Sequence, residues 1–553
     1  MLNNLNITYK EKNLIVPYNT KIYDIVDEFG LDIFNDNIMG AMVNNKMVSL
    51  DYQLKNSGEI DFIFPKDDFG YRIYVNSLTF ILYYIWNKLF SDKKLIISHS
   101  LSDGLYFYRD DNLEIEEKDI EKIENLFDET VNNKIKIEIA SLDRDEAKKI
   151  FFREEDKFNL LKYTSSSSIL VAKIKDFVDF TITPIVINTG ICKYYKIAKY
   201  KDGLILRYPK QRNFPDFVKF EDQKKLFYVY KEQEDWGKIL NFDTLGNLNK
   251  KISQNLFLDI ILISEALQDN RISDIIKKII EDKEKRLILI AGPSSSGKTT
   301  FSIKLMTFLK AMGIASYQIS LDNYFVDREK TPKDENGDYN YEVIEALDLE
   351  TFNDNLNDIF HGKETILPVY DFKKGKRASD GLYYKPEKDV KVIVEGIHGL
   401  NPKLTYNIDP KYSFRIYISP LTQLNLTDSV RIPTTISRLY RRLVRDFRYR
   451  GISAIETLQR WPSVRKGEDN YIFPYQNNAD VYFNSSLSYE LSVLKTFTEP
   501  LLKSIPEDST FYALAQFLLD YLIHFIPIPP DLVPNTSILR EFIGGSLYLQ
   551  NVH

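Results

Sequence analysis

The feature that most constrains this chain is the run Gly292-Pro293-Ser294-Ser295-Ser296-Gly297-Lys298-Thr299-Thr300. The short apolar stretch 286–291 before it reads as a strand buried on both faces. An amphipathic pattern follows, with Phe301, Leu305, Phe308 and Leu309 on one side. Small residues between a strand and a helix let the backbone fold around an anion, so that successive N–H groups point inward. The helix N-terminus adds the positive end of its dipole. The spacing is that of a P-loop, and it sits in the context such a loop requires. Gly292, Ser294, Ser295, Ser296, Gly297, Lys298, Thr299 and Thr300 are therefore expected to cradle nucleotide phosphates. Lys298 would reach the β- and γ-phosphates, and the Thr299 hydroxyl would serve Mg²⁺. Strand and helix patterns alternate beyond residue 285, which predicts an α/β unit: a parallel sheet flanked by helices.

Two carboxylates are placed to complement the loop. Residues 315–321 read as a second strand, followed by Asp322. Ligands of open α/β sheets bind at the carboxyl ends of strands, where a carboxylate can take the proton of an attacking hydroxyl. A turn carboxylate that caps the next segment fits the spacing equally well. Residues 390–394 read as a third buried strand that ends in Glu395, a position suited to holding Mg²⁺ directly or through water. Further on, Arg438, Arg441, Arg442 and Arg445 recur at three- and four-residue spacing and share a helical face. Such a face can clamp a phosphoryl group when a lid closes; a solvated charged helix and an RNA-contacting face are the competing readings.

With 553 residues the chain is too long for one core. Its 44% hydrophobic and 27% charged composition is that of globular domains. A net charge of −6 argues against tight non-specific nucleic-acid binding by the whole chain. The single cysteine, Cys192, allows neither an internal disulfide nor a cysteine-based zinc site. No basic segment leads into an apolar run at the N-terminus, and the apolar stretches 78–86 and 512–528 read as buried helices rather than membrane spans. A soluble, cytoplasmic protein with no membrane partner is expected; a homo-oligomer is left open.

Residues 1–66 read as two strands around a turn at 10–12, a helix 21–29 capped by Thr20, a hairpin 38–50 and a last strand 59–64, a small β-grasp unit that resembles a TGS domain. Residues 70–250 read as an α+β domain whose position resembles the second domain of threonyl- and alanyl-tRNA synthetases. The His-x-x-x-His pair that holds zinc in those editing domains is missing here: His99 stands alone. Residues 251–284 read as a helical connector, and 285–553 as the P-loop domain. The Pro-rich tail around 526–530 and the stretch Arg540-Glu541-Phe542-Ile543-Gly544-Gly545 receive no assignment.

From 285 to about 500, the motifs in order resemble the uridine kinase and phosphoribulokinase family. They are the P-loop, Ser320-Leu321-Asp322-Asn323-Tyr324, Leu367-Pro368-Val369-Tyr370-Asp371-Phe372, Val394-Glu395-Gly396 and the arginines 438–445. The resemblance implies an ATP- and Mg²⁺-dependent kinase with Asp322 as general base, Glu395 on the metal and the arginines on the phosphates. Tyr324, Tyr341 and Tyr370 would line the acceptor pocket. A departure follows Tyr-Asp-Phe: uridine kinases carry a histidine that reads the pyrimidine, and here the chain runs Lys373-Lys374-Gly375-Lys376-Arg377. The segment 425–437 is also longer than in plain uridine kinases. The function expected first is phosphorylation of a small-molecule hydroxyl, most simply a nucleoside's. A non-nucleoside alcohol or sugar is the second acceptor class, and a nucleotide-dependent regulatory or RNA-associated NTPase is the alternative.

Overall fold

The computed structural model describes residues 4–334, 337–422 and 424–549. The chain divides into two compact units that interleave along the sequence. The first holds Met1–Leu256, Gln423–Ile432 and Glu499–Pro527; the second holds Phe257–Thr422, Pro433–Thr498 and Ile528–His553.

The first unit opens with a five-stranded sheet in the order Lys12–Pro17, Asn4–Tyr9, Gly58–Ile63, Gly40–Val43, Lys46–Val48. Asn4–Tyr9 runs antiparallel to Lys12–Pro17 and parallel to Gly58–Ile63. The helix expected at 21–29 is instead a pair of 3₁₀ turns, Ile22–Ile25 and Asp27–Phe29. The Thr20 hydroxyl donates backward to the Pro17 carbonyl at 2.7 Å, and no side chain caps the first of these turns, which starts after Lys21. Gly30 then ends the segment in the left-handed region at φ +79°. The apolar stretch 78–86 lies inside the 22-residue helix Asp68–Leu89 and is buried throughout. A four-stranded antiparallel sheet (Lys196–Tyr200, Gly203–Arg207, Gly104–Arg109, Leu95–Leu101) and a three-stranded one (Phe177–Phe180, Ser168–Ile174, Glu138–Asp143) complete the middle of the unit.

Two excursions from the C-terminal half belong to this unit, where the sequence pattern suggested one run from 285 onward. The first is the hairpin Asn425–Thr427 with Val430–Arg431, inside the segment noted for its length. The Asn425 amide donates to the Ile97 carbonyl at 2.7 Å, Ile97 N–H donates to Asp428 at 3.0 Å, and the Tyr83 hydroxyl donates to the Asp428 carbonyl at 2.7 Å. The second carries the helix Tyr512–Leu522, which accounts for the apolar stretch beginning at 512. Just past it, His524 is buried, its Nδ1 is 2.9 Å from the Thr164 hydroxyl, and its carbonyl accepts from Asn249 at 2.7 Å.

The second unit is built on a five-stranded, all-parallel sheet in the order Ser316–Ser320, Lys391–Glu395, Leu287–Ala291, Ser413–Ser419, Val481–Asn484. Every residue of the central strand Leu287–Ala291 is buried, as a strand covered on both faces must be. Its side chains alternate. Ile288 and Ile290 pack with Phe301, Leu305 and Leu309 of the helix Lys298–Ala311, whereas Leu287 and Leu289 pack with Phe352, Leu356 and Ile359 of the helix Leu349–Phe360. The segment read as a connector forms a 25-residue helix, Phe257–Glu281, and Ile272, Ile275, Ile276 and Ile279 join the first of these two faces. No helix among the described residues is long and apolar enough to cross a membrane.

In the first unit, Glu234 is pushed up to about 8, first by burial, and it accepts a hydrogen bond from Ser98. The folded state keeps this proton to about pH 8, whereas the unfolded chain releases it near the ordinary carboxylate value of about 4.3. Stability from this group is therefore full below that value and is lost as pH rises toward 8. Glu234→Gln is expected to flatten the fall in urea midpoint between pH 6 and 8.5; an unchanged slope would show that Glu234 is ionised in the fold.

Candidate nucleotide and phosphoryl-transfer site

The loop between Leu287–Ala291 and Lys298–Ala311 is shaped by two close approaches. A Cβ on Gly292 would lie 1.9 Å from the Ile418 carbonyl oxygen, so only glycine lets the loop leave the sheet there. Gly297, at φ +82°, faces Ile538, whose Cγ2 would be 2.5 Å from an added Cβ. Ser295 is also left-handed, at φ +59°. Such alternation turns consecutive N–H groups to one side, which makes a nest for an anion. Lys298 reaches back over the loop, and its ammonium donates to the carbonyls of Gly292 at 3.0 Å and Pro293 at 3.2 Å. Burial lowers its pKa; Glu395, Asp322 and Glu541 oppose that shift, and Arg445 adds to it.

The two expected carboxylates stand at the ends of adjacent strands. Asp322 lies in the 3₁₀ turn Leu321–Tyr324 directly after Ser316–Ser320. Its side chain is open to solvent, yet protein crowds the carboxylate enough to push its pKa up, against the pull of Lys298, Arg450 and Arg445. Glu395 closes the strand Lys391–Glu395, is buried, and accepts from the Ser320 hydroxyl at 2.9 Å. Burial, and then the charge of Asp322, pushes it up to about 7. Lys298, Asp322 and Glu395 thus act on one another electrostatically, with the P-loop at the center.

All four arginines expected to form a lid lie on the helix Thr434–Arg450, and their surroundings differ. Arg438 and Arg441 are almost wholly buried. Arg438 pairs with Glu468, donates to the Ser294 carbonyl at 3.0 Å and lies over the Trp461 ring. Arg441 pairs with Glu490 at 2.5 Å and donates to the Ser485 carbonyl at 2.8 Å. These two fasten the helix beside the loop. Arg442 donates to the Ser294 hydroxyl at 2.9 Å and pairs with Asp446 at 3.2 Å. Arg445 is held only loosely, with its Nε 3.8 Å from Asp446, and burial lowers its pKa to about 10, with Arg450 adding to the effect. Of the four, Arg442 and Arg445 keep capacity for an incoming phosphate.

The aromatic residues also separate. Tyr324 is 1% exposed, and its hydroxyl donates to Asn355 at 3.0 Å against Phe352. It belongs to the core beneath the turn, because the short 3₁₀ segment rotates Asp322 outward and Tyr324 inward. Tyr341 and Tyr370 both pack edge-on to Phe325, at 5.5 and 5.7 Å, and Tyr370 also meets the exposed ring of Phe372 at 5.1 Å. The Arg328 guanidinium donates to the Tyr341 hydroxyl at 3.3 Å. In the basic run after Tyr-Asp-Phe, Arg377 pairs with Asp348 at 2.9 Å and donates to the Tyr324 and Phe325 carbonyls, so it braces the turn; Lys376 faces Glu329.

Several site residues escaped the sequence analysis. Glu468 accepts from the Ser294 N–H at 3.0 Å. Glu541 accepts from Thr300, through its N–H at 3.2 Å and its hydroxyl at 2.8 Å. Glu342 is pushed up to about 7 by burial and by Glu468, with Lys298 and Arg442 opposing. Asp446, fully buried, gathers Arg442, Arg445 and Arg450. The i, i+4 spacing of Arg442, Asp446 and Arg450 was a legible signal; Glu541 had none, since it follows an unassigned tail.

A parallel sheet, a P-loop at the end of its central strand and carboxylates at the ends of the two strands on one side of it are the arrangement of a P-loop nucleotide-dependent kinase. Residues 287–491 match the model of the phosphoribulokinase / uridine kinase family. The uridine kinase of Staphylococcus aureus strain JH9 is 31% identical over 212 residues, which span 38% of this chain and 93% of that protein. The uridine kinase of strain Newman matches to the same extent. A possible uridine kinase from Bacillus stearothermophilus aligns structurally at 23% identity with a TM-score of 0.27, covering 39% of this chain and 98% of its own. The chain belongs to the phosphoribulokinase / uridine kinase family.

The contrast among the arginines is measurable. Arg441→Ala strands Glu490 in the interior and is expected to cost about 3–5 kcal/mol in denaturant unfolding. Arg445→Ala is expected to leave stability nearly unchanged and to cut turnover about 10²–10³-fold. Equal losses of stability in the two variants would show that Arg445, too, is only a structural anchor.

Proposed function

We propose that this protein is an ATP-dependent phosphotransferase whose acceptor is a hydroxyl on a small molecule, most simply a nucleoside. The observation that carries this reading is Asp322: a crowded carboxylate with a raised pKa, at a strand end, acting electrostatically on Lys298 of the P-loop. A raised pKa makes the ionised form a stronger base toward an alcohol. The relatives named uridine kinase support a nucleoside as the first acceptor class. The exposed ring of Phe372 and the half-buried rings of Tyr341 and Phe325 offer flat apolar surface on which a base or another planar group can pack, with Tyr370 buried against Phe325 and Phe372. The Lys373–Arg377 stretch stands where uridine kinases carry their pyrimidine-reading histidine, so the particular nucleoside is set by other contacts.

In this reading the acceptor hydroxyl lies against Asp322, which takes its proton as the oxygen attacks the γ-phosphorus. Lys298 and the loop N–H groups hold the β- and γ-phosphates in line, and the bond from phosphorus to the β,γ-bridging oxygen breaks. Arg442 and Arg445 offset charge spread over the transferring group; most of the acceleration in such transfers comes from positioning and electrostatics. The donor set fits Mg²⁺, which takes one or two carboxylates together with phosphate oxygens and water. Asp322 and Glu395 stand near enough to raise the pKa of Glu395, and a divalent cation would relieve that repulsion. Thr299 and Glu395 would hold it, and it would neutralise phosphate charge.

The test is incubation with Mg²⁺-ATP and a panel of nucleosides, sugars and hydroxy amino acids, reading ADP release and the mass gain of one phosphate on the acceptor. Asp322→Asn is expected to cut acceptor phosphorylation about 10²–10⁴-fold while ATP binding persists. ADP release that no acceptor stimulates, and that survives this substitution, would sink the kinase mechanism in favour of a nucleotide-dependent regulatory role.

A further inference from the structure

The helix Lys298–Ala311 begins at Gly297, and the N–H groups of its first turn have no partners within the helix. In a phosphate-binding loop, those donors are the anion site. In this protein one of them is already taken by an anion from elsewhere in the chain. Glu541 Oε2 accepts both the N–H of Thr300, at 3.2 Å, and its hydroxyl, at 2.8 Å. Both residues are buried.

The segment that brings Glu541 here is built to stay. The Arg540 guanidinium donates to the carbonyls of Pro530, Val533 and Gly544, which ties the tail into a compact loop. Ile538 lies on Gly297 of the P-loop, and Phe542 lies under the Arg441 guanidinium at 5.0 Å. Leu539, Phe542 and Ile543 are all buried. The charge of Glu541 is also felt at Lys298, Arg445 and Glu395, the groups around the transfer centre.

A nucleotide polyphosphate and this carboxylate are both anionic and call on the same donor. We infer that the C-terminal segment 537–545 is an intramolecular competitor for the nucleotide, with the Glu541 carboxylate in the seat of a phosphate oxygen at Thr300, and that nucleotide binding displaces it. The inference rests on the nucleotide reading of the loop and adds a regulatory layer: whatever loosens the tail raises the affinity for nucleotide. An anchor without this role would hold the tail in place whether or not nucleotide is bound.

The experiment uses the full chain as wild type, Glu541→Gln and Lys298→Ala. Mg²⁺-ATP affinity is measured by calorimetry, and amide hydrogen exchange across 537–545 is followed with and without Mg²⁺-ATP. Glutamine keeps the shape and can still accept from Thr300, but it removes the charge that about doubles the strength of such a bond. Glu541→Gln is expected to bind ATP about five- to tenfold tighter, and nucleotide is expected to speed exchange in 537–545 of the wild type. Affinity equal to or weaker than wild type, or a tail equally or better protected with nucleotide bound, would overturn the inference. Exchange on the unaltered protein decides the matter even where the variant fails to fold. Lys298→Ala separates the two layers: its loss of ATP binding upholds the nucleotide reading whatever Glu541 does, and binding at wild-type strength would bring down both.

Discussion

A loop that turns its backbone N–H groups inward concentrates positive potential at one point, and the groups around it must answer that charge. In the second unit they do so in layers. Glu468 meets the Ser294 N–H and Glu541 meets the Thr300 N–H, while the loop carbonyls that face the other way receive Lys298, Arg438 and Arg441. The helix Thr434–Arg450 is placed by the same bonds, because Arg438 and Arg441 are pinned between loop carbonyls and the buried carboxylates of Glu468 and Glu490. Buried ion pairs of this kind add little net stability relative to apolar packing, but breaking one partner is costly. They set the helix in one register, in which Arg442 reaches the Ser294 hydroxyl and Arg445 acts electrostatically on Lys298 and Asp322.

Legibility in the sequence follows locality. The strand Leu287–Ala291, the loop and the helix after it are written in consecutive residues, and the structure places them as read, with the strand starting one residue later than expected. Glu395 sits at a strand end because the apolar run before it is short and uninterrupted. The arginine face was legible as a face, but periodicity carries no information on which members find buried carboxylates. That depends on Glu468 and Glu490, 30 and 49 residues further along. Tyr324 shows the same limit at short range: a single 3₁₀ turn sends Asp322 and Tyr324 in opposite directions, and spacing alone does not fix a turn of that length.

The first unit was read less completely, for a related reason. Its strands were found to within a residue or two at 4–9, 12–17 and 58–63, since alternation of apolar residues is local. The helix expected at 21–29 is replaced by two 3₁₀ turns that no side chain caps. The burial of 425–431 and 512–522 in this unit was not legible, because the residues that receive them, such as Ile97, Tyr83 and Phe69, lie hundreds of positions away.

The chain passes between its two units at 256/257, 422/423, 432/433, 498/499 and 527/528. Synthesis runs from the N-terminus, and domains generally fold as they emerge. The first unit cannot follow that order to completion, since the helix Tyr512–Leu522 is made only after Val481–Asn484, the last sheet strand of the second unit. Until then the apolar surface that receives Phe517 and Tyr521 has no cover, and the nascent protein is exposed to association at that site. A ribosome that stalls or terminates after the P-loop but before residue 512 would release a chain with its nucleotide motif intact and its first unit open, a natural substrate for chaperones and proteases.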